Sequence, residues 1–345
     1  MGVDCQTEYF NGREWKSVSQ YTKDEFVLQY KDDKTAELVI PTSYQKRKNN
    51  SMFLFETKSS LNQCLSSAHM STYITSKGNI SCKKFEDVID LHNTSKQGFS
   101  GRFITSFIYN SKTKLSLTDN EIKLMVAVIA DASFQGRENN CYFNLKKERK
   151  KRALRKILNE MEYSYVERTY DSMPGYTRFL LNAPLKEKEF TKKWYLCNNT
   201  QRQIICDSVL NWDGSQQKNK RNELIRRNFY TTSKESADFI QFVFASCGYC
   251  ANLIVQDRRG RIKKNETNNR EYVTKSIDYV VGISNQTLKN LARKSSQGKI
   301  KINNYIPSDG YEYFFSVPSK QIVFRRKNKI FISGDGNINI KEVNQ

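Results

Sequence analysis

The 345-residue chain contains no run of about 18 apolar residues, so no transmembrane helix is expected. Its opening MGVDCQTEYF lacks the apolar core of a secretory signal. Gly2 follows Met1, but Gln6 stands where a myristoylation pattern needs Ser or Thr. These absences lead to the expectation of an intracellular protein with no membrane partner. Cys247 and Cys250 form one C-x-x-C, yet no second pair of similar spacing exists, so a structural zinc site is not expected. The eight cysteines are expected to be free in a reducing compartment. Acidic residues are also scarce, with 36 Asp plus Glu against 57 Lys plus Arg. The resulting net charge of +21 is far beyond what solubility needs and points to a polyanion, usually nucleic acid.

The length suits two or three domains. Residues 1–75 alternate short apolar-aromatic runs with polar turns and read as β-rich. Residues 76–115 are irregular, polar and basic, as expected of a connecting segment. Helical and strand patterns alternate over 116–300, and strand character returns in YEYFFSV, KQIVFRR and KIFIS. Residues 336–345 read as a loose tail.

The middle section is duplicated, as halves of about 116–195 and 196–300. Thr118-Asp119-Asn120-Glu121 is a capping box, in which Thr and Glu side chains satisfy free amides at a helix start. The apolar helix IKLMVAVIADAS follows and ends at Asp131. Thr200 to Gln203 reads as a second box, followed by IICDSVLNWDGS ending at Asp213. In both copies the aspartate lies 13 residues past the expected cap. A strand follows each (141–144 or 228–232), then an amphipathic helix, then two strands. The second amphipathic stripe is Ala237, Ile240, Phe244 and Cys247.

Apolar helices are normally buried. If these two pack together, with Ala127, Ala130 and Ser208 allowing close approach, Asp131 and Asp213 meet at one end. Two carboxylates at helix C-termini repel each other, and a divalent cation removes that cost. Beside a basic surface, such a site suits phosphodiester cleavage. Either aspartate alone would read as an ordinary turn former; the matched pair outweighs that reading.

LMVAVIADA at 124–132 and CDSVLNWDG at 206–214 resemble the two motifs of LAGLIDADG homing endonucleases, the enzymes of intron and intein homing. The resemblance implies a monomer with two unequal halves, Mg²⁺ (or Mn²⁺) held by Asp131 and Asp213, and double-stranded DNA with a long asymmetric target. The chain departs from the motif at Ala132, Val126 and Ser208, each at a position where glycine is usual. Four basic clusters fall in the duplicated region, beginning with KKERKKRALRK at 146–156. The expected DNA contacts are Lys146, Lys147, Arg168, Arg178, Arg258, Arg259 and Lys263.

The flanks, 1–75 and 305–335, resemble the Hint self-splicing fold of phage-type inteins. That likeness implies Cys5 as acyl-shift nucleophile and Ser66-Ser67-Ala68-His69 as the block whose His69 promotes the shift. The closing block should end in Asn before Cys, Ser or Thr, but Asp335-Gly336 stands there. The expected fold is therefore α+β, a duplicated LAGLIDADG endonuclease inserted in an all-β, splicing-deficient Hint domain. The expected function is a freestanding, site-specific, metal-dependent DNA endonuclease, phage-encoded and acting in the host cytoplasm. The alternatives are a non-cleaving nucleic-acid-binding protein or maturase, and a residually active splicing element.

Overall fold

A computed structural model describes residues 2–56, 61–96, 98–136, 138–218, 224–264, 271–290 and 301–334. It is mixed α+β, with five helices among the described residues, and it divides into two compact units. Unit 1 holds the residues up to 110, 244–252 and those from 284 on; unit 2 holds 111–243 and 253–283.

Unit 1 is mainly β-strand, and both flanks of the sequence build it together. Thr7–Phe10 pairs antiparallel with Gln321–Arg326, Ser43–Lys48 with Tyr311–Ser316, and Met52–Glu56 with Lys301–Tyr305. Gln321–Arg326 and Lys329–Gly334 form a hairpin. Its two-residue turn, Lys327 and Asn328, has φ of 47° and 61°, the doubly positive backbone that matches strand twist in tight hairpins. Aromatic residues fill the core: Tyr21 lies 4.7 Å from Tyr44 and 5.0 Å from Phe315, ring centre to ring centre. A buried ion pair ties the flanks, with the Arg326 guanidinium donating to both Asp4 oxygens at 2.9 and 2.7 Å.

The connecting segment expected at 76–115 is not a linker up to residue 110. Ile80–Lys84 is a strand, Phe85–Thr94 is helix α1, and Arg102–Ile104 is another strand. Phe85, Val88, Phe99 and Phe103 are buried in the unit 1 core. Each element is short and offers only two or three apolar anchors. Lys84 at the start of α1 makes no side-chain cap, so no start signal announced it.

Unit 2 contains most of the duplication, and residues 244–252 and Ser284 of its second half fall in unit 1. The first half runs α2 (Asp119–Asp131), strands Ala132–Phe134 and Asn140–Leu145, α3 (Glu148–Glu160), then strands Val166–Thr169 and Thr177–Asn182. The second runs α4 (Asn199–Trp212), strands Gly214–Lys218 and Leu224–Thr231, α5 (Lys234–Ser246), then strand Cys250–Asp257, the paired short strands Ile262–Lys264 and Glu271–Val273, and strand Ile277–Ser284. Setting that short pair aside, the four strands of each half lie in the order first, second, fourth, third. Each half thus has an unexpected strand directly after its aspartate, and the second half also has the short pair.

Other expectations need correction. The boundary at 116–300 does not hold, because 244–252 and the residues from 284 on belong to unit 1. The second capping box is Asn198 with Gln201, not Thr200 with Gln203. The Asn198 side chain accepts from the Gln201 amide at 2.9 Å, and Gln201 Oε1 accepts from the Asn198 amide at 3.2 Å. Asn caps as well as Ser or Thr, and Gln201 also binds Leu115 N–H and C=O at 2.9 and 3.0 Å, which favours the earlier start. Asp213 is therefore 15 residues past its cap (213 − 198), against 13 for Asp131 (131 − 118). Nor is α5 amphipathic: residues 239–246 are all buried, against Phe190, Tyr195 and other apolar groups, and Cys247 lies beyond its end.

Candidate active site

Helix α2 begins in a complete Thr118–Glu121 capping box, as the sequence indicates. Its residues Ile122 and Leu124 to Val128 are buried, and it packs against α4 and α3. Burial of this stripe sets the helix pairing. Helix α4 is more polar than expected. It buries Gln201 and Arg202, and the Arg202 guanidinium donates to the Cys197 carbonyl.

Asp131 is the last residue of α2, and Asp213 is the cap that follows α4. The two acids share one electrostatic environment. Burial raises the Asp213 carboxyl above its ordinary value, and the Asp131 charge raises it further, while Lys150 and Lys188 oppose the shift. The Lys150 ammonium, from α3, donates to Asp131 and lies 5.6 Å from the centre of the Trp212 ring. Lys188 donates to the carbonyls of Val128 and Ile129, at 2.7 and 2.8 Å, in the last turn of α2. That turn has no basic residue of its own, and Lys188 supplies the cation its dipole favours. Burial holds the Lys188 ammonium below its ordinary value, with Asp213 and then Asp131 working against the shift. Arg149 donates to the Asn211 carbonyl near the end of α4. The site thus brings two acids and two lysines together.

The residue after each acid differs for a structural reason. A Cβ on Gly214 would come within 2.5 Å of the Leu210 Cα and 2.6 Å of its carbonyl oxygen. At the equivalent place, Ala132 leaves α2 in an extended conformation and is buried without such an approach.

Sequence reasoning chose Lys146 and Lys147 from the basic run, not Lys150, which is the residue that reaches Asp131. No local spacing marks Lys150, because Asp131 is 19 positions away on another helix. Lys188 lies in the segment between the halves, where no motif marked it.

The expected DNA contacts divide. Arg178 and Arg168 are register partners on neighbouring strands. Arg178 donates to Asn144 at 2.8 Å and sits near the Tyr142 and Tyr170 rings, at 5.0 and 5.1 Å. Strand alternation puts Tyr142, Asn144 and Arg178 opposite the buried Phe143 and Phe179. Lys146 lies 5.7 Å from the Tyr176 ring, and Lys147 caps α3 without a side-chain bond. Arg258 is ion-paired with Asp278 at 3.2 Å, and Arg259 with Asp257 at 2.6 Å. Lys263 is in the strand Ile262–Lys264, but its side chain lies outside the described residues.

In unit 1, the Ser66 hydroxyl accepts from the Gly2 amide at 2.7 Å, three residues before Cys5. Cys5 instead has Ser308 Oγ at 3.2 Å from its sulfur, and burial raises its thiol above the ordinary value. His69 is buried, with Nε2 2.9 Å from Ser333 Oγ. Asp335 lies outside the described residues. All eight cysteines are free, including Cys247 and Cys250 beyond α5.

A hard divalent cation suits the acid pair. Such ions take one or two carboxylates and complete their shell with water and phosphate oxygens. Asp131 and Asp213 supply that many, and the pair already draws two ammonium groups. Among the described residues no group of three or more His, Cys, Asp or Glu gathers.

No protein-family model and no curated protein matches the chain. Among solved structures, it is similar to a splice-inactive variant of the AceL NrdHF class 3 split intein, 9% identical over 97% of both chains, with a TM-score of 0.36. It is similar to full-length DUF199/WhiA from Thermatoga maritima, 10% identical over 49% of this chain and 53% of that one, with a TM-score of 0.32. Mesophilic variants of the homing endonuclease I-DmoI share 12% identity over 48% of this chain and 88% of theirs, with a TM-score of 0.29. Another I-DmoI structure holds DNA and Mn. These neighbours include an intein and a homing endonuclease, but similarity at this level decides neither fold nor activity. No helix among the described residues is long and apolar enough to cross a membrane.

Proposed function

We propose that the protein is a divalent-metal-dependent DNA endonuclease that hydrolyses phosphodiester bonds with Asp131 and Asp213. What supports this reading is that the packed helices α2 and α4 end in carboxylates whose charges act on each other, with Lys150 bonded to Asp131 and Lys188 bonded to the last turn of α2. The acids would hold Mg²⁺ or Mn²⁺, which supplies an activated water and Lewis-acid polarisation when bound. Lys150 and Lys188 would add two positive charges to favour a phosphodiester that gains negative charge in its transition state. Lys188 also fixes the end of α2, and so the position of Asp131. The sheet face bearing Tyr142, Asn144 and Arg178 suits duplex DNA, since a guanidinium held by Asn144 is already oriented for phosphate or base edges. Two halves of unequal sequence favour an asymmetric target, and a duplication within one chain favours a monomer.

The test is cleavage of a randomised plasmid library in Mg²⁺ by the wild type, Asp131→Asn and Asp213→Asn. Cutting by the wild type alone, abolished by a chelator, is the expected result, and sequenced ends would define the site. Salt-sensitive binding without cutting would replace this reading with the non-cleaving binding protein. For splicing, Asp335-Gly336 in place of Asn and a following nucleophile argues against a ligated product. A ligated product from the chain placed between two reporter proteins would overturn that.

A further inference from the structure

Unit 1 contains a cleft of about 360 Å³ that plays no part in the acid site. Lys34 and Arg102 line it together with the hydroxyl residues Ser106 and Thr287, and no lining residue is acidic. Its apolar wall includes the half-buried Ile108 and Leu288, backed by the buried Ile104 and Phe107. Among the described residues, neither the Lys34 ammonium nor the Arg102 guanidinium makes a hydrogen bond or ion pair. Two uncompensated cations in a concave site raise the local concentration of anions.

The cleft is held by backbone bonds. The Ile108 amide donates to the Lys34 carbonyl at 3.1 Å, and Lys34 itself has φ of 68° in its turn. Thr105 donates to the Thr287 carbonyl through its amide at 3.1 Å and its hydroxyl at 2.8 Å. The Phe107 amide donates to Ala245, and Gly248 donates back to the Phe107 carbonyl at 3.1 Å. Arg102 sits in a strand paired on both sides, with Ile74 and with Asn290. The backbone that carries both cations is therefore fixed, and binding has only their side chains to order.

We propose that this cleft binds one nucleotide unit. Its phosphate lies between Lys34 and Arg102, within reach of the Ser106 and Thr287 hydroxyls, and its base packs on the Ile108 and Leu288 side chains. The volume is within the range of small-ligand sites, roughly 300–1,000 Å³. The nucleotide is either a free monophosphate or one residue of a DNA strand. The chemistry is shared, and the sources are separable.

Calorimetric titration of the full chain with a nucleoside monophosphate, a thymidine octamer and inorganic phosphate tests the proposal. Binding of the monophosphate assigns a free ligand; binding of the octamer alone assigns a strand. Lys34→Gly, which relaxes the positive φ, and Arg102→Gln should each weaken the bound species about tenfold or more, the loss of one charge-assisted hydrogen bond. Arg102→Lys keeps the charge and should retain binding within a few-fold, which separates loss of the site from loss of fold. Failure of both nucleotide ligands, or affinities unchanged in Lys34→Gly and Arg102→Gln, would overturn the proposal. Inorganic phosphate binding as tightly as the monophosphate would overturn its base-packing part.

Discussion

The two halves of unit 2 share a strand order but finish their central helices differently. In the first, Asp131 is still helical, Ala132 turns out into a strand, and Lys150 neutralises the acid. In the second, Asp213 has left the helix, Gly214 presses on Leu210, and the acid is raised by burial and by Asp131. Their second helices differ as well. α3 buries only Leu154, Ile157 and Leu158 and carries the basic run, whereas α5 is buried over 239–246. Duplication has thus produced one scaffold with two inequivalent acids. Inequivalent acids suit a reaction on two strands of unlike sequence.

The largest effect should be on cleavage. Asp131→Asn and Asp213→Asn are each expected to lower double-strand cutting at least about 10³-fold, roughly 4 kcal/mol of transition-state stabilisation. A plasmid nicking assay sharpens the comparison. Nicks on opposite strands from the two variants would assign one acid to each strand; loss of all nicking would make the acids a single unit.

Next in size is the contrast at the following residue. Gly214→Ala is expected to destabilise by about 2 kcal/mol, because the new methyl meets helix backbone that cannot yield. Ala132→Gly should cost only about 0.5–1 kcal/mol through backbone entropy. Urea denaturation measures both, and equal costs would dissolve the distinction between the two helix ends.

A smaller effect has opposite signs in the two halves. In metal-free protein, Asp131→Asn removes the partner of Lys150, whose side chain is 12% exposed, and should cost about 1 kcal/mol. Asp213→Asn removes a charge the fold disfavours and should raise Tm. The pH dependence follows from the raised Asp213 carboxyl. Between its ordinary and raised values, the folded chain binds more protons than the unfolded one, so this group's contribution to stability falls as pH rises. Asp213→Asn should remove that fall in thermal melts, and Asp131→Asn should not reproduce the rise in Tm.

Much of this site was legible because its signals were local. The Thr118 to Glu121 cap, the buried stripe from Ile122 and the terminal Asp131 all lie within 14 residues (131 − 118 + 1). The strand at 177–182 was legible from its alternation. What escaped depended on distant partners. Gln201 starts α4 early because it binds Leu115, 86 positions away. Lys188 reaches α2 carbonyls about 60 positions back, and only the fold puts it beside both acids. Residues 76–110 read as polar linker because Phe85, Phe99 and Phe103 follow no single period.

The last contrast is in binding and concerns the sheet cations, which charge alone made equivalent. Arg258 and Arg259 are already paired with Asp278 and Asp257, so a DNA phosphate must compete with a resident carboxylate. Among the described residues Arg178 has no such acid, and Asn144 orients it between two tyrosine rings. Arg178→Ala should therefore weaken DNA binding about tenfold and reduce the slope of log affinity against log salt by about 1. Arg259→Ala should change both by less, since it frees Asp257 as it removes a cation. Fluorescence anisotropy across a salt series distinguishes them. Equal slopes would mean that the first half's sheet face has no advantage over the second half's paired arginines.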